Sequence, residues 1–166
     1  MTKLTFEEAN AYVFRWCNSF ERMKMILSLR GLMSAPDWWR LLGDLWDTCD
    51  NIAVHKNRLR QILLKANPTN LRAMMRTHER RALAAMPDEI TVYRGCYDVN
   101  RDGLSWSLTE DIATRFTTLN RYHRTNDAAL LLTGKASKAR IVLKLSRRER
   151  EVICPLVEIT HERRTT

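Results

Sequence analysis

The spacing of apolar residues changes once along this chain, near Pro87, and that change constrains the fold more than any other feature. Before Pro87, apolar side chains recur every three or four residues, the spacing of one helix face. After it come short β-branched runs bounded by turn residues. A chain with its helices first and its strands afterwards does not make alternating βαβ units. It is predicted to be an α+β protein, helical over residues 1–87 and sheet-bearing over 88–166, folded as one compact unit.

In the helical part, Thr5 and Glu8 have capping-box spacing. Phe6, Ala9, Val13, Trp16, Cys17, Phe20, Met23 and Leu27 follow as an inward stripe, predicting one helix over 5–29 that stops at Gly31. Ser34-Ala35-Pro36-Asp37 opens a second helix, with Trp38, Leu41, Leu42, Leu45, Trp46 and Cys49 inward. The pattern runs on through Ile52, Leu59, Ile62 and Leu63 to a break at Asn67-Pro68. A further helix is predicted from Thr69 to about Met86. The Trp, Met and Phe residues of these stripes are expected in the core.

Apolar residues make up 45% of the chain, enough for a packed core. No apolar run approaches the length of a membrane span, and the first ten residues carry two acids and no apolar segment. These features predict a cytoplasmic protein with no membrane association and no secretory signal. The four cysteines (Cys17, Cys49, Cys96, Cys154) form no C-x-x-C pair, so buried free thiols are expected rather than a zinc site or a disulfide framework. The four histidines are equally scattered, and no metal is expected.

The net charge of +9 suits an anionic small ligand, an acidic protein or nucleic acid. It is shared along the chain, with 14 basic against 9 acidic residues in the first 88 and 14 against 10 in the remaining 78. One stretch concentrates it. Between residues 51 and 81 stand Lys56, Arg58, Arg60, Lys65, Arg72, Arg76, Arg80 and Arg81, against Glu79 alone. The plain reading is a set of solvated helix faces. The sharper one is a docking face for phosphates or acidic side chains, with Lys56, Arg58, Arg60, Arg72, Arg76 and Arg80 as its candidate contacts.

After Pro87, strands are predicted over 90–93, 104–107, 129–133, 140–145 and 151–157, with a helix from Thr109 to Phe116. Three features there can carry chemistry. Tyr93-Arg94-Gly95 ends a strand: an arginine can offer a bidentate fork to a diphosphate, and a glycine lets a ligand approach the backbone. Ser105 and Ser107 alternate with Leu104, Trp106 and Leu108, so the two hydroxyls share a strand face. Glu149 and Glu151, at i and i+2, can divide base and electrostatic roles.

An arginine at a strand end, a Ser-x-Ser strand and a Glu-x-Glu pair, in this order, resemble the R-S-E class of ADP-ribosyltransferases. The local texture, VYRG, GLSWS and E-x-E-V-I, is similar to that of small phage and prophage proteins of this type. The resemblance covers residues 90–157. It implies a compact transferase-like β core with the helical half packed on it, and NAD as substrate. Arg94, Gly95 and Tyr93 would line the NAD site, with Arg94 on phosphate and ribose. Ser105 would support the nicotinamide ribose and the catalytic carboxylate, Ser107 would line the NAD site beside it, and Phe116 would stack on the nicotinamide. Glu151 would bond the ribose 2′-hydroxyl, and Glu149 would prepare the acceptor, for which arginine is the matching side chain.

The function implied is mono-ADP-ribosyl transfer to a host macromolecule, disabling a host or defence complex. Two alternatives stand beside it. One is a non-catalytic basic protein that docks on an acidic or nucleic-acid-associated complex. The other is an NAD glycohydrolase using the same site with water as acceptor.

Overall fold

The fold is described from a computed structural model, over residues 3–118, 127–145 and 150–165. It is α+β, as predicted. The chain divides into two compact units, Met1–Arg76 and Thr77–Thr166.

The first unit is helical. Helix α1 (Phe6–Trp16) starts at the Thr5 cap, with the Thr5–Glu8 box closed in both directions. The hydrogen bond from the Thr5 backbone holds the Glu8 carboxyl below its usual range. The predicted helix over 5–29 is in fact two. Cys17 leaves helical geometry (φ −124°, ψ 128°), and the Asn18 side-chain carbonyl accepts the backbone N–H groups of Phe20 and Glu21 at 3.0 and 3.2 Å. These bonds set up the start of α2 (Arg22–Ser28). The break takes two aromatics off the inward stripe. Trp16 and Phe20 are 63% and 62% exposed, contrary to expectation, whereas Val13, Cys17, Met23 and Leu27 are buried.

Helix α3 (Ala35–Leu45) starts where predicted but ends at Leu45, and the run expected to continue to Asn67 is divided by two 3-10 turns before the next helix. Ser34 caps α3, accepting from the Asp37 N–H at 3.3 Å, and Trp38, Leu41, Leu42 and Leu45 are buried. The Trp38 indole N–H donates to the Ile26 carbonyl at 2.7 Å, which removes the one polar cost of burying that ring. Ser34→Ala is expected to cost about 1 kcal/mol, the usual worth of a serine cap, read as a lower urea midpoint with unchanged slope.

Helix α4 (Lys56–Leu64) follows, and Asn67-Pro68 breaks the pattern as predicted by capping α5 (Pro68–Ala73). Gly43 of α3 meets the chain just after α5: a Cβ there would lie 2.1 Å from the Met74 carbonyl oxygen. The predicted helix from Thr69 to Met86 is divided. Met74 and Met75 turn back on Leu71 and Arg72 through i→i−3 bonds, and the next helix, α6 (Thr77–Ala84), belongs to the second unit.

That unit is a six-stranded antiparallel sheet in the order β4-β5-β2-β1-β3-β6. The strands are β1 (Glu89–Cys96), β2 (Ser105–Ser107), β3 (Ala129–Ser137), β4 (Val142–Lys144), β5 (Glu151–Ile153) and β6 (Glu158–Thr165). Helix α7 (Glu110–Thr118) lies between β2 and β3 in sequence. The predicted strand over 151–157 ends early, because Pro155 has no N–H to continue the ladder. The chain then forms β6, which sequence patterning did not indicate.

The four cysteines are free and buried. Burial pushes the Cys49 thiol up to about 12 and raises those of Cys17 and Cys96. Among the described residues, no helix is long and apolar enough to cross a membrane.

Candidate active site

Strands β5, β2 and β1 are neighbours at the middle of the sheet, and they carry Glu151, Ser105 with Ser107, and Tyr93 with Arg94. Three segments far apart in sequence thus become contiguous. Glu149 lies outside the described residues.

The register sets which side chains share a face, since directly opposed residues of an antiparallel pair do so. Lys144 stands opposite Glu151, Glu151 opposite Ser107, Ser107 opposite Tyr93, Tyr93 opposite Thr133, and Thr133 opposite His161. One row of polar residues therefore crosses all six strands. It grades from the interior to solvent: Lys144 and Ser107 are buried, Glu151, Tyr93 and Thr133 half-buried, and His161 exposed. Ser105 and Gly95 lie on the same face by strand alternation.

Helix α7 covers part of this face. A Cβ on Gly95 would lie 1.9 Å from the Ala113 carbonyl oxygen and 3.1 Å from Thr117 Cγ2. The open side of Gly95 is therefore filled by the α7 backbone, not left for a ligand as the sequence suggested. Two further contacts hold α7 in place. The Arg163 guanidinium pairs with Glu110, and the Tyr97 hydroxyl donates to the Thr117 carbonyl at 3.1 Å. Phe116 sits half-buried on α7, next to the Ala113 and Thr117 positions that face the sheet.

Arg94 is placed differently from the expected diphosphate contact. Strand alternation puts it on the face opposite Tyr93, Ser107 and Glu151. Its guanidinium donates to the Ser105 carbonyl and, at 2.9 Å, to the Asn100 carbonyl. Gly103 lies against it, where a Cβ would come 2.1 Å from the Arg94 terminal nitrogen. The arginine thus ties the link between β1 and β2 to the sheet, and the shortness of that link gives the physical reason. A five-donor fork satisfies one carbonyl of the link, Asn100, and one at the start of β2, Ser105, at once.

The residue before Glu151 is also unusual. Arg150 adopts φ 44°, the sole non-glycine residue with positive φ among the described residues. Its carbonyl accepts the Leu108 N–H at 3.3 Å. A left-handed arginine costs free energy, and such conformations gather at functional sites. Here it turns the chain into β5 and sets Glu151 in register with Ser107.

Two residues that the sequence did not single out belong to this neighbourhood. Glu79 of α6 is fully buried, its Oε2 3.4 Å from the equally buried Lys144 ammonium. Its Oε1 accepts the Leu145 N–H at 2.8 Å. The available signals were a lone acid in a basic stretch and a lysine closing the apolar run Val142-Leu143. In the basic stretch, Arg58, Lys65, Arg72, Arg76, Arg80 and Arg81 are exposed, and Lys56 and Arg60 are half-buried. Arg76 lies 3.7 Å from Asp44.

Comparison with protein-family models, with curated proteins and with solved structures returns no match.

Proposed function

We propose that this chain is an NAD-dependent mono-ADP-ribosyltransferase that modifies a side chain, arginine favoured, of a host macromolecule. The observation that carries the reading is the convergence of the arginine, serine and glutamate segments on adjacent strands, with Glu151 directly across from Ser107. The arginine and serine segments are also joined by the bond from Arg94 to the Ser105 carbonyl.

The chemistry needs little more than a placed carboxylate. The bond between ribose C1′ and the nicotinamide nitrogen breaks, and nicotinamide leaves with the electron pair. Positive charge then builds on C1′ and the ring oxygen. A carboxylate held at the 2′-hydroxyl stabilises that charge, the role given to Glu151. Half-buried Ser105 presents its hydroxyl to the ribose, while buried Ser107, directly across from Glu151, braces the carboxylate. The acceptor nitrogen then bonds to C1′ and gives up a proton to a second base, the role that the resemblance gives to Glu149.

The test is nicotinamide release from NAD by the purified chain, together with labelling of lysate proteins by a tagged NAD. Glu151→Gln is expected to lower the rate about 10²- to 10³-fold, the usual worth of one preorganised electrostatic group. Equal labelling by Glu151→Gln and the unaltered chain would sink the reading. Free ADP-ribose with no labelled protein would select the glycohydrolase.

One observation favours the docking alternative. Glu79, the single acid between residues 51 and 81, is buried, so the exposed charges of that stretch are basic throughout. In that case activity against the host would survive Glu151→Gln and weaken steeply with salt.

A further inference from the structure

The buried ion pair of Glu79 and Lys144 lies outside the roles given so far, yet it ends the polar row next to Glu151. Opposed residues of an antiparallel pair have Cβ atoms about 4.5–5.5 Å apart, so the lysine stem starts beside the glutamate stem. Its ammonium then reaches Glu79 at 3.4 Å. Glu79 is held in turn by the Leu145 N–H, one residue beyond Lys144. A pair joined only to tie α6 to β4 could sit anywhere along the apolar run. This pair occupies the one β4 position in register with Glu151. At a buried site, the lysine charge acts on its neighbour with little screening by water.

Among the described residues, charged and titratable groups placed about Glu151 include Lys144 from β4, Glu79 behind it from α6, Tyr93 farther along the row and the preceding Arg150. Ser107 from β2 is uncharged. Lys144 is fixed in place by a buried partner, Glu79.

We infer that Lys144, anchored by Glu79, is a positioning residue for Glu151. It holds the carboxylate in one orientation on the sheet face, so that the group meets the developing charge on the ribose without rearranging. The assignment rests on the NAD reading.

The test is the double variant Glu79→Gln/Lys144→Met. It removes both charges, keeps an acceptor for the Leu145 N–H and nearly preserves volume. The expected result is a kcat for nicotinamide release lower by about 10- to 100-fold, the scale of a misplaced reacting group, with KM for NAD within about threefold. A kcat within twofold of the unaltered chain overturns the assignment and leaves the NAD reading standing. No nicotinamide release by the unaltered chain overturns both.

A second measurement decides the matter if the double variant does not fold. In chain labelled with 15N-lysine, the Lys144 ammonium resonance is expected to move on Glu151→Gln. An unmoved resonance overturns the assignment, because a lysine that holds the Glu151 carboxylate must sense the loss of its charge.

Discussion

Glu79→Ala is expected to destabilise the Thr77–Thr166 unit by about 3–5 kcal/mol, the usual cost of leaving one member of a buried ion pair behind. Two losses combine. The Lys144 side chain, 3% exposed, loses the carboxylate at 3.4 Å that offsets the lost hydration of its ammonium. The Leu145 N–H also loses its acceptor at 2.8 Å. The measurement is the urea midpoint of the unit's transition, set beside that of Glu79→Leu/Lys144→Met. Two well-packed apolar residues restore much of what the single change removes, because desolvation of both charges is then no longer required. A midpoint for Glu79→Ala equal to that of the unaltered chain would show that the pair carries no net weight.

Gly95→Val is expected to cost about 3 kcal/mol or more, at or above the upper end of overpacking penalties. The reason is that the obstacle is backbone. A Cβ would lie 1.9 Å from the Ala113 carbonyl oxygen and 2.9 Å from its carbon. A side-chain tip could swing aside, but a helix carbonyl moves only with its helix. α7 must therefore lift from β1, against the pull of Arg163 on Glu110 and of the Tyr97 hydroxyl on the Thr117 carbonyl. For a unit of this size, the loss corresponds to a fall in Tm on the order of 15 °C. An unchanged Tm would mean that α7 does not rest on Gly95.

How far the sequence could be read follows from which interactions are local. The caps at Thr5 and Ser34 depend on residues three positions away, and each appears where its spacing placed it; Asn67 was legible as a break but not as the cap it forms. The alternation of Ser105 and Ser107 was equally legible. The break after Trp16 was not, because Asn18 competes with the helix through its own side chain while the apolar spacing runs on. β6 was missed because an edge strand with a wet face needs no apolar alternation. The role of Arg94 was misread for a different reason. A guanidinium that could fork onto a diphosphate can also fork onto two carbonyls, and which it meets depends on where the link from β1 to β2 folds. The row from Lys144 to His161 was invisible because it exists only across strands. No spacing along the chain encodes the register of β2 against β5.

β6 also bears on contact between copies of this chain. It is one of the two edge strands and, with eight residues, much longer than β4 at the other edge. A long open edge offers unpaired backbone groups to any passing strand. Here the edge bears Glu158, His161, Glu162, Arg163 and Arg164, all exposed. A second copy adding to this edge would have to strip water from these charged side chains. Charge on an exposed edge strand is one of the devices that oppose its pairing with another sheet.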